Sequence, residues 1–552
     1  MTTVKKYLTG LILGLAACQT PVSDAVPTAP PAPPQDMALF VRRNGQQLVQ
    51  NGQPVQLNGV AFGNWVWNNS GTPPTLHHNE QDFARLREMN LNCIRFYLNY
   101  AYFESDATPY TYKASGWDWL DQQVSWAKKH GISLILNMHV PQGGYQSQGN
   151  GAALWNVPEN QKRLTALWRA IAQRYRNEPT VAGYDLLNEP VTPRSIDQWK
   201  DLAQGITAAI RAVDQAHLIV VERLNAVGTE WKDVNGERNM FLLQDDNVLY
   251  EFHTYDPFEY THQTFDWAGR VATEREQYPD ETRISSPPDA AWYTAIFTNP
   301  VVPAGTSGWA FYEGVRYAAT DPALKIGVAV YQTANLGTGK AFLDQLTVSE
   351  YDPQNRLVSR VVQPGTATTT GWWLWSKANT GTFVAGPGGR TGNALTVSGT
   401  TDDANISFGQ QKFRITTGNS YQVSGWLRGE NIPATANVRL RVDFETTSQP
   451  ITARNKTFLR ESVRFYADWG RKNNVPTYLG EYGAGSPCFR PGLGGLIYVS
   501  DMIDICREFG FHTTYHSYHE DSFGWYYGHT SLPDIANANG PLVDLFRQKF
   551  AK

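Results

Sequence analysis

The sequence predicts an α/β fold: a closed (β/α)8 TIM barrel with a β-sandwich inserted between its sixth and seventh strands. Three observations carry this. Strand-and-helix units alternate six times between residue 38 and about residue 260, which implies a parallel sheet. From about 285 to 450 the helical period vanishes, and short alternating segments separated by Gly, Thr and Asn take over, the pattern of an all-β sandwich. Two further units follow, and six plus two make the eight that close a barrel.

The elements follow in order. "VQLNGVAF" (55 to 62) reads as the first strand, and "NEQDFARLREMN" (79 to 90) as a helix with Phe83, Leu86 and Met89 on one face. "NCIRFYL" (92 to 98) is the second strand, and "WDWLDQQVSWAKKHG" (117 to 131) a helix stopped by glycine. "SLILNMHV" (133 to 140) is the third, with a long helix over 159 to 176. "VAGYDLLNEP" (181 to 190) is the fourth, with a helix near 195 to 213. "HLIVVERL" (217 to 224) and "NVLYEFHTY" (247 to 255) are the fifth and sixth. After the sandwich come a helix over 455 to 474, the strand "PTYLGEYG" (476 to 483), a helix near 493 to 509 and the strand "FHTTYHSY" (511 to 518). At about 30 residues per unit, strands four and seven should lie about 90 to 100 residues apart. Glu189 and Glu481 are about 290 apart. The excess accommodates a domain of about 100 to 150 residues with its connections.

The expected organisation is a lipoprotein signal peptide over 1–18, a Pro-rich linker over 19–36, barrel over 37–284, inserted sandwich over 285–452 and barrel again over 453–552. Lys5 and Lys6 precede an apolar run from Leu8 to Ala17, too short to span a bilayer as a helix. The run ends in "LAAC", which resembles a bacterial lipobox and marks Cys18 for lipidation. The expectation is an exported protein, held at the outer membrane or cell surface by that anchor, or free in the periplasm or outside. In an oxidising compartment Cys488 and Cys506, which flank one expected helix, could bridge, while Cys93 reads as a small core residue.

Composition narrows the function. A net charge of -4 with no basic patch argues against nucleic acid. Eighteen Trp and 27 Tyr suit stacking on sugars. The active site of such a barrel lies at the C-terminal ends of its strands. Arg95, His139, Asn188, Glu189, His253, Tyr255 and Glu481 fall there. Two carboxylates on different strands suit glycoside hydrolysis, where one must be protonated and the other ionised. Glu222 and Glu251 also lie in strands and compete for these roles. His512, His516, His519 and Glu520 lack zinc-type spacing, so no metal and no cofactor is expected.

The "LLNEP" stretch, with Arg95, His139 in "LNMHV", His253 and Tyr255 in "EFHTY" and Glu481 in "YLGEYG", resembles glycoside hydrolase family 5, the cellulase family. The resemblance covers about residues 38 to 275 and 455 to 550. It implies Glu189 as acid/base and Glu481 as nucleophile, with Asn188 on the sugar 2-hydroxyl and Arg95 holding the nucleophile ionised. It further implies that Tyr255 orients the nucleophile, that His253 contacts the acid/base or the sugar, and that His139 lines the subsite. The family's usual tryptophan at the end of strand eight is missing. His516 stands there, and Trp525 from the following loop is expected to supply the sugar platform. Within the insertion, "LGTGKAFLDQLTVSEYDP" resembles the closing strands of carbohydrate-binding modules of the family 4 and 9 type, and residues 372 to 429 their opening half. The order is reversed, so a circularly permuted jelly-roll module is expected, with Trp372, Trp373, Trp375 and Trp426 as stacking candidates.

The expected function is therefore that of a monomeric retaining endo-β-1,4-glucanase acting on a polysaccharide or oligosaccharide. A β-mannanase, a β-1,3-glucanase, an exo-acting β-glucosidase or a non-catalytic surface glycan-binding lipoprotein are the alternatives.

Overall fold

The computed structural model describes residues 36–551 apart from 69, 271, 273–274, 288, 295–297, 364–365, 367–368, 370–371, 377–379, 402–403 and 409–411. The expected lipidation site Cys18 and the export signal lie outside the described residues, as does the linker up to residue 35. Among the described residues, no helix is long and apolar enough to cross a membrane.

Eight parallel strands close a barrel. They are β1 (Asn58–Phe62), β2 (Cys93–Asn99), β3 (Ser133–Val140), β4 (Val181–Asp185), β5 (Leu218–Glu222), β6 (Val248–His253), β7 (Thr477–Glu481) and β8 (His512–Tyr515). Each pairs with the next, and β8 returns to β1 with Thr513, Thr514 and Tyr515 beside Asn58, Gly59 and Val60. Every residue of β2, β4 and β5 is buried, because one face of each strand fills the barrel and the other meets the helices. The helices begin and end on local signals. Asn79 and Asp82 form a reciprocal cap for Glu80–Glu88. Gly131, with φ of 65°, stops Ala114–His130. In Ile196–Arg211 the buried Ile196, Trp199, Ala203, Ile206 and Ile210 recur every three or four residues, the stripe that packs on the sheet.

The N-terminal end of the barrel is sealed. Val41, just ahead of a small antiparallel sheet before β1, and Leu48 within it pack with Leu57, Cys93, Leu218, Leu249 and Tyr478 near the strand starts. This apolar plug leaves the C-terminal mouth for chemistry.

Between β6 and β7 the chain builds two antiparallel sheets. One is centred on Leu324–Ala334 paired with Asn437–Thr446, the other on Lys340–Tyr351 paired with Ser420–Glu430. Alternate residues of Ser420–Glu430 are buried. Tyr421, Val423 and Leu427 meet Tyr331, Leu440, Val442 and Phe444 of the other sheet in one apolar core. Entry and exit lie side by side. Asp280–Ile284 pairs antiparallel with Ala453–Arg454, and the buried Arg454 forms an ion pair of 2.5 Å with Glu276. Adjacent ends allow a domain to be spliced into a loop without opening the barrel.

Cys488 and Cys506 do not bridge. Both are buried free thiols, and Cys488 Sγ donates instead to Tyr260 O at 3.0 Å. Trp372 packs into the sandwich core, so its face is not open to sugar, and Trp373's side chain lies outside what is described. Trp375 is exposed, and Trp426 is half-buried beside Phe311 with the Arg390 guanidinium over its ring.

Candidate active site

The C-terminal ends of the strands gather the expected residues around a cleft of about 730 Å³ lined by His139, Glu189, Tyr255, Glu481 and His516. The centre beneath it is Arg95 on β2, which is fully buried. Its Nη1 reaches Glu481 Oε1 at 2.6 Å, its Nη2 donates to Asn188 Oδ1 at 3.0 Å, and its Nε meets Asp185 Oδ2 at 2.8 Å and Glu251 Oε1 at 3.0 Å. One guanidinium therefore joins strands β4, β6 and β7. A planar fork with five donors suits this, and a lysine would not reach all four partners.

Glu481 ends β7 and receives more than the arginine. Tyr97 donates to the same Oε1, and Tyr255 donates to Oε2 at 2.8 Å. His253 stands opposite it in the β6–β7 ladder, 3.7 Å from Oε2, and His516 lies 4.0 Å away. Burial alone would raise the Glu481 pKa. The charges of His253, His516 and Arg95 outweigh burial and hold the group well below the usual carboxylate range. Glu481 is an anion in this site.

Glu189 is reached by a different route. β4 ends at Asp185, but the chain runs on through Leu186, whose N–H bonds Val220 O, and Asn188, whose N–H bonds Met138 O. At Glu189 the backbone turns into the left-handed region, with φ of 44°. That turn aims its N–H at Glu222 Oε2, 2.6 Å away, and its side chain into the cleft. A non-glycine residue holds such a conformation only where its surroundings enforce it. The Glu189 side chain is 19% exposed against 6% for Glu481, so the two carboxylates differ in solvent access. His253 Nδ1 lies 3.1 Å from Glu189 Oε1. Single ligand atoms of Glu189, His253 and Glu481 lie within 4.8 Å of one another.

His253 is surrounded by acids: Glu189, Glu222 at 3.5 Å, Glu251 at 3.3 Å and Glu481. Burial alone would lower its pKa, but Glu222, Glu481 and the hydrogen-bonded carboxylates raise it well above the usual histidine value. The carboxylates around Arg95 and His253 outnumber the two cations. Burial, aided by Glu251 and Glu189, accordingly pushes Glu222 up. Burial and Glu251 likewise push Asp185 up.

His139 and His516 complete the floor. Burial and Arg95 drive His139 well below the usual value, so its ring is neutral. Its Nδ1 lies 3.0 Å from Asn137 Oδ1, and it stacks on Tyr97 at 3.9 Å between centroids. His516 sits at the end of β8, with Nε2 3.0 Å from Glu520 and Nδ1 3.1 Å from the Tyr97 hydroxyl. Trp525 is not the sugar platform. It is fully buried against Phe546, Tyr515 and Tyr518, behind the cleft wall. The aromatic faces that do line the cleft are Trp67, Tyr145, Trp231, Trp267, Phe258 and Phe523.

Sequence reasoning missed Asp185, Tyr97 and Asn137, and saw Glu222 and Glu251 only as rivals. A strand signal reaches some of them. Alternate residues of a barrel strand share the inner face, so Arg95 implies Tyr97, His139 implies Asn137 and His253 implies Glu251.

Residues 48–295 match the model of the cellulase family, glycosyl hydrolase family 5. The match ends before β7 and β8, which supply Glu481 and His516. Endoglucanase C of Acetivibrio thermocellus is 31% identical over 189 residues, 34% of this chain and 53% of that protein. Endoglucanase C307 of Clostridium sp. (strain F1) matches to the same degree. Cellodextrinase A of Ruminococcus flavefaciens is 23% identical over 271 residues, 48% of this chain and 76% of that protein. The chain thus spans about half the length of the two endoglucanases.

Two predictions follow from this geometry. A Cβ on Gly480 would lie 1.6 Å from Glu251 Oε1. Gly480→Ala should therefore displace Glu251 from Arg95 and cost about 1–3 kcal/mol in chemical denaturation. A loss within about 0.3 kcal/mol would show that the Glu251 position is not fixed.

The second concerns pH. The folded pKa of His253 is raised, so its contribution is complete below its ordinary 6.5 and is lost as pH rises through the folded value. Glu222 and Asp185 are raised acids, and they too cost stability as pH rises above their ordinary values. Glu481 is depressed, so its contribution is present above its ordinary 4.5 and lost only as pH falls through the folded value. The buried His77, His78, His139, His262 and His512 are depressed by burial, so they cost stability as pH falls below their ordinary 6.5. Thermal unfolding should therefore give the highest Tm near pH 6 to 7, falling towards pH 9. A Tm rising steadily from pH 6 to 9 would contradict this charge arrangement. Residues 48–295 of this chain thus carry a domain of the cellulase family, glycosyl hydrolase family 5.

Proposed function

We propose that this protein is a retaining β-glycanase that cuts β-1,4-linked glucan chains internally. The carrying observation is the pairing of Glu189 with Glu481 across the cleft. Carboxyl groups of a retaining pair lie about 5–5.5 Å apart, whereas inverting enzymes need about 6.5–9.5 Å to admit a water between them. One oxygen of Glu189 lies within 4.8 Å of one oxygen of Glu481, a closest approach in keeping with the retaining spacing. The endoglucanase names of the relatives support the substrate class.

In the first step Glu481, held ionised, attacks the anomeric carbon. The bond to the glycosidic oxygen breaks, and that oxygen takes the electron pair and the proton of Glu189. A glycosyl ester of Glu481 remains. In the second step Glu189, now a carboxylate, takes a proton from water. The water oxygen bonds the anomeric carbon, and Glu481 leaves with the ester electrons. Arg95, Tyr97 and Tyr255 fix both Glu481 oxygens before the substrate arrives, so little reorganisation remains for the transition state. Asn188 Oδ1 is taken by Arg95 and one Nδ2 hydrogen by Ser147 Oγ, which leaves the second Nδ2 hydrogen to donate to the sugar 2-hydroxyl. Neutral His139, Trp67 and Trp267 supply walls for the sugar rings.

The inserted sandwich fits a glycan-holding role. The exposed Trp292, Trp375 and Phe311 support it, as does the half-buried Trp426. Export and lipidation at Cys18 rest on the "LAAC" stretch and its basic start.

Reducing-sugar release should be greatest on β-1,4- or mixed-linkage glucan within a panel that includes mannan and β-1,3-glucan. Glu481→Ala and Glu189→Ala should each lower kcat by at least about 10⁴-fold, and azide should restore Glu481→Ala turnover with inverted product. Residual activity near wild type in either variant would remove the assignment. Proton NMR of the first product formed by the wild type should show the β anomer, and an α product would reject the two-step route.

A further inference from the structure

Beyond Glu189 the cleft opens into a second lobe of about 400 Å³. Glu189, Asn225, Trp231, Tyr255 and Phe258 line both spaces, whereas Glu481 lines only the cleft. The lobe therefore lies on the proton-donor side, where the departing part of a chain sits.

Two guanidinium groups, Arg223 and Arg238, face this lobe. Arg238 is engaged: its Nη1 donates to Ser462 O at 2.9 Å and its plane lies over Phe465. Arg223 is not. It directly follows Glu222 at the end of β5, and among the described residues its one side-chain hydrogen bond runs from Nη1 to Leu224 O at 3.3 Å. Its Nε is buried without a hydrogen-bond partner among the described residues. Nε and Nη2 form one edge of the guanidinium, the edge that receives a carboxylate by two parallel hydrogen bonds. Leaving a buried charged donor unpaired is costly, and a site retains that cost when a ligand relieves it.

Glu189 and Asp256, which line the lobe, and the adjoining Glu222 favour the Arg223 charge through space, while its Nε remains open to a ligand. Asp233 accepts from the backbone N–H groups of Asn235, Gly236 and Arg238. Lys232 pairs with Glu230 at 2.5 Å. Burial, followed by Glu259, pushes Asp256 up to about 6. Trp231, 57% exposed, forms a wall common to lobe and cleft and offers an aromatic face to a sugar.

We propose that this lobe is a leaving-group subsite for an acidic sugar, in which Arg223 pairs the carboxylate of a uronic acid unit while Trp231 stacks on its ring. The proposal rests on the glycosidase reading above and adds the substrate class. The glucan it selects carries carboxylates at C6 or as side-chain uronic acids.

The test uses the full chain and two defined cello-oligosaccharides of equal length, one plain and one oxidised at C6 to a single glucuronosyl unit on the leaving-group side. The wild type should favour the acidic chain by about tenfold in kcat/KM at low salt, and the preference should shrink as salt rises. In Arg223→Gln the acidic-to-plain ratio should fall to about one, and Arg223→Lys should retain part of it. Because the readout is a ratio within one variant, partial misfolding does not imitate the result. A wild-type ratio at or below one with plain-chain turnover intact would overturn the subsite and leave the glycosidase reading standing. A ratio that survives Arg223→Gln would do the same. Failure of the wild type to cleave either chain would remove the glycosidase reading and the subsite with it.

Discussion

The site depends on one buried cation. Arg95 has no solvent access, yet it touches Asp185, Asn188, Glu251 and Glu481, which come from three different parts of the chain. Burying a guanidinium is expensive unless its donors are satisfied and its charge is met. Here the satisfaction is reciprocal. The acids cannot stay buried without the arginine, and the arginine cannot stay buried without them. Truncating one partner of such a cluster exposes the others to the full cost of desolvation, which makes the geometry cooperative and gives Glu481 one position.

The surplus of negative charge gives the site its division of labour. Arg95, His253 and His516 hold Glu481 ionised, while Glu222 and Asp185 are driven toward their neutral forms by burial and by the neighbouring Glu251. Glu189 stands outside that cluster. It is more exposed, and the ring of His253 and the carboxylate of Glu222 secure it through its side chain and its N–H. Two carboxylates of the same type therefore meet different surroundings, which is the general way that one site supplies an acid and an anion at one pH.

Much of this was legible in the chain. Alternation of strand and helix implied the barrel, and the eight barrel strands fall where the apolar runs stand, because strands buried on both faces are mostly apolar. Arg95, His139, Glu189, His253, Tyr255, Glu481 and His516 were expected at strand ends, and all seven line or underlie the cleft. Three features escaped for physical reasons. Asp185 reads as an ordinary strand-end residue, since only the fold brings it under Arg95, ninety positions earlier. Glu222 shapes Glu189 through a backbone N–H, which leaves no mark in a side-chain pattern. Trp525 reads as a platform because it follows strand eight, but the loop folds it inward onto Phe546. Cys488 and Cys506 flank a helix as expected, yet sequence spacing says nothing of where thiols point.

The insertion shows how a fold tolerates interruption. The paired segments at 280–284 and 453–454 bring entry and exit together, so β6 and β7 remain neighbours although the sandwich separates them in sequence. The His253–Glu481 contact depends on that adjacency. In the proposed mechanism Glu481 is the anion that bonds the anomeric carbon. The most direct measurement is mass spectrometry of peptides after incubation with a 2-deoxy-2-fluoro-β-cellobioside bearing a good leaving group, which slows release of the ester. One fluorocellobiosyl group should be found on the peptide carrying Glu481. A label on Glu189, or a protein that turns over natural substrate yet never acquires a label, would contradict it.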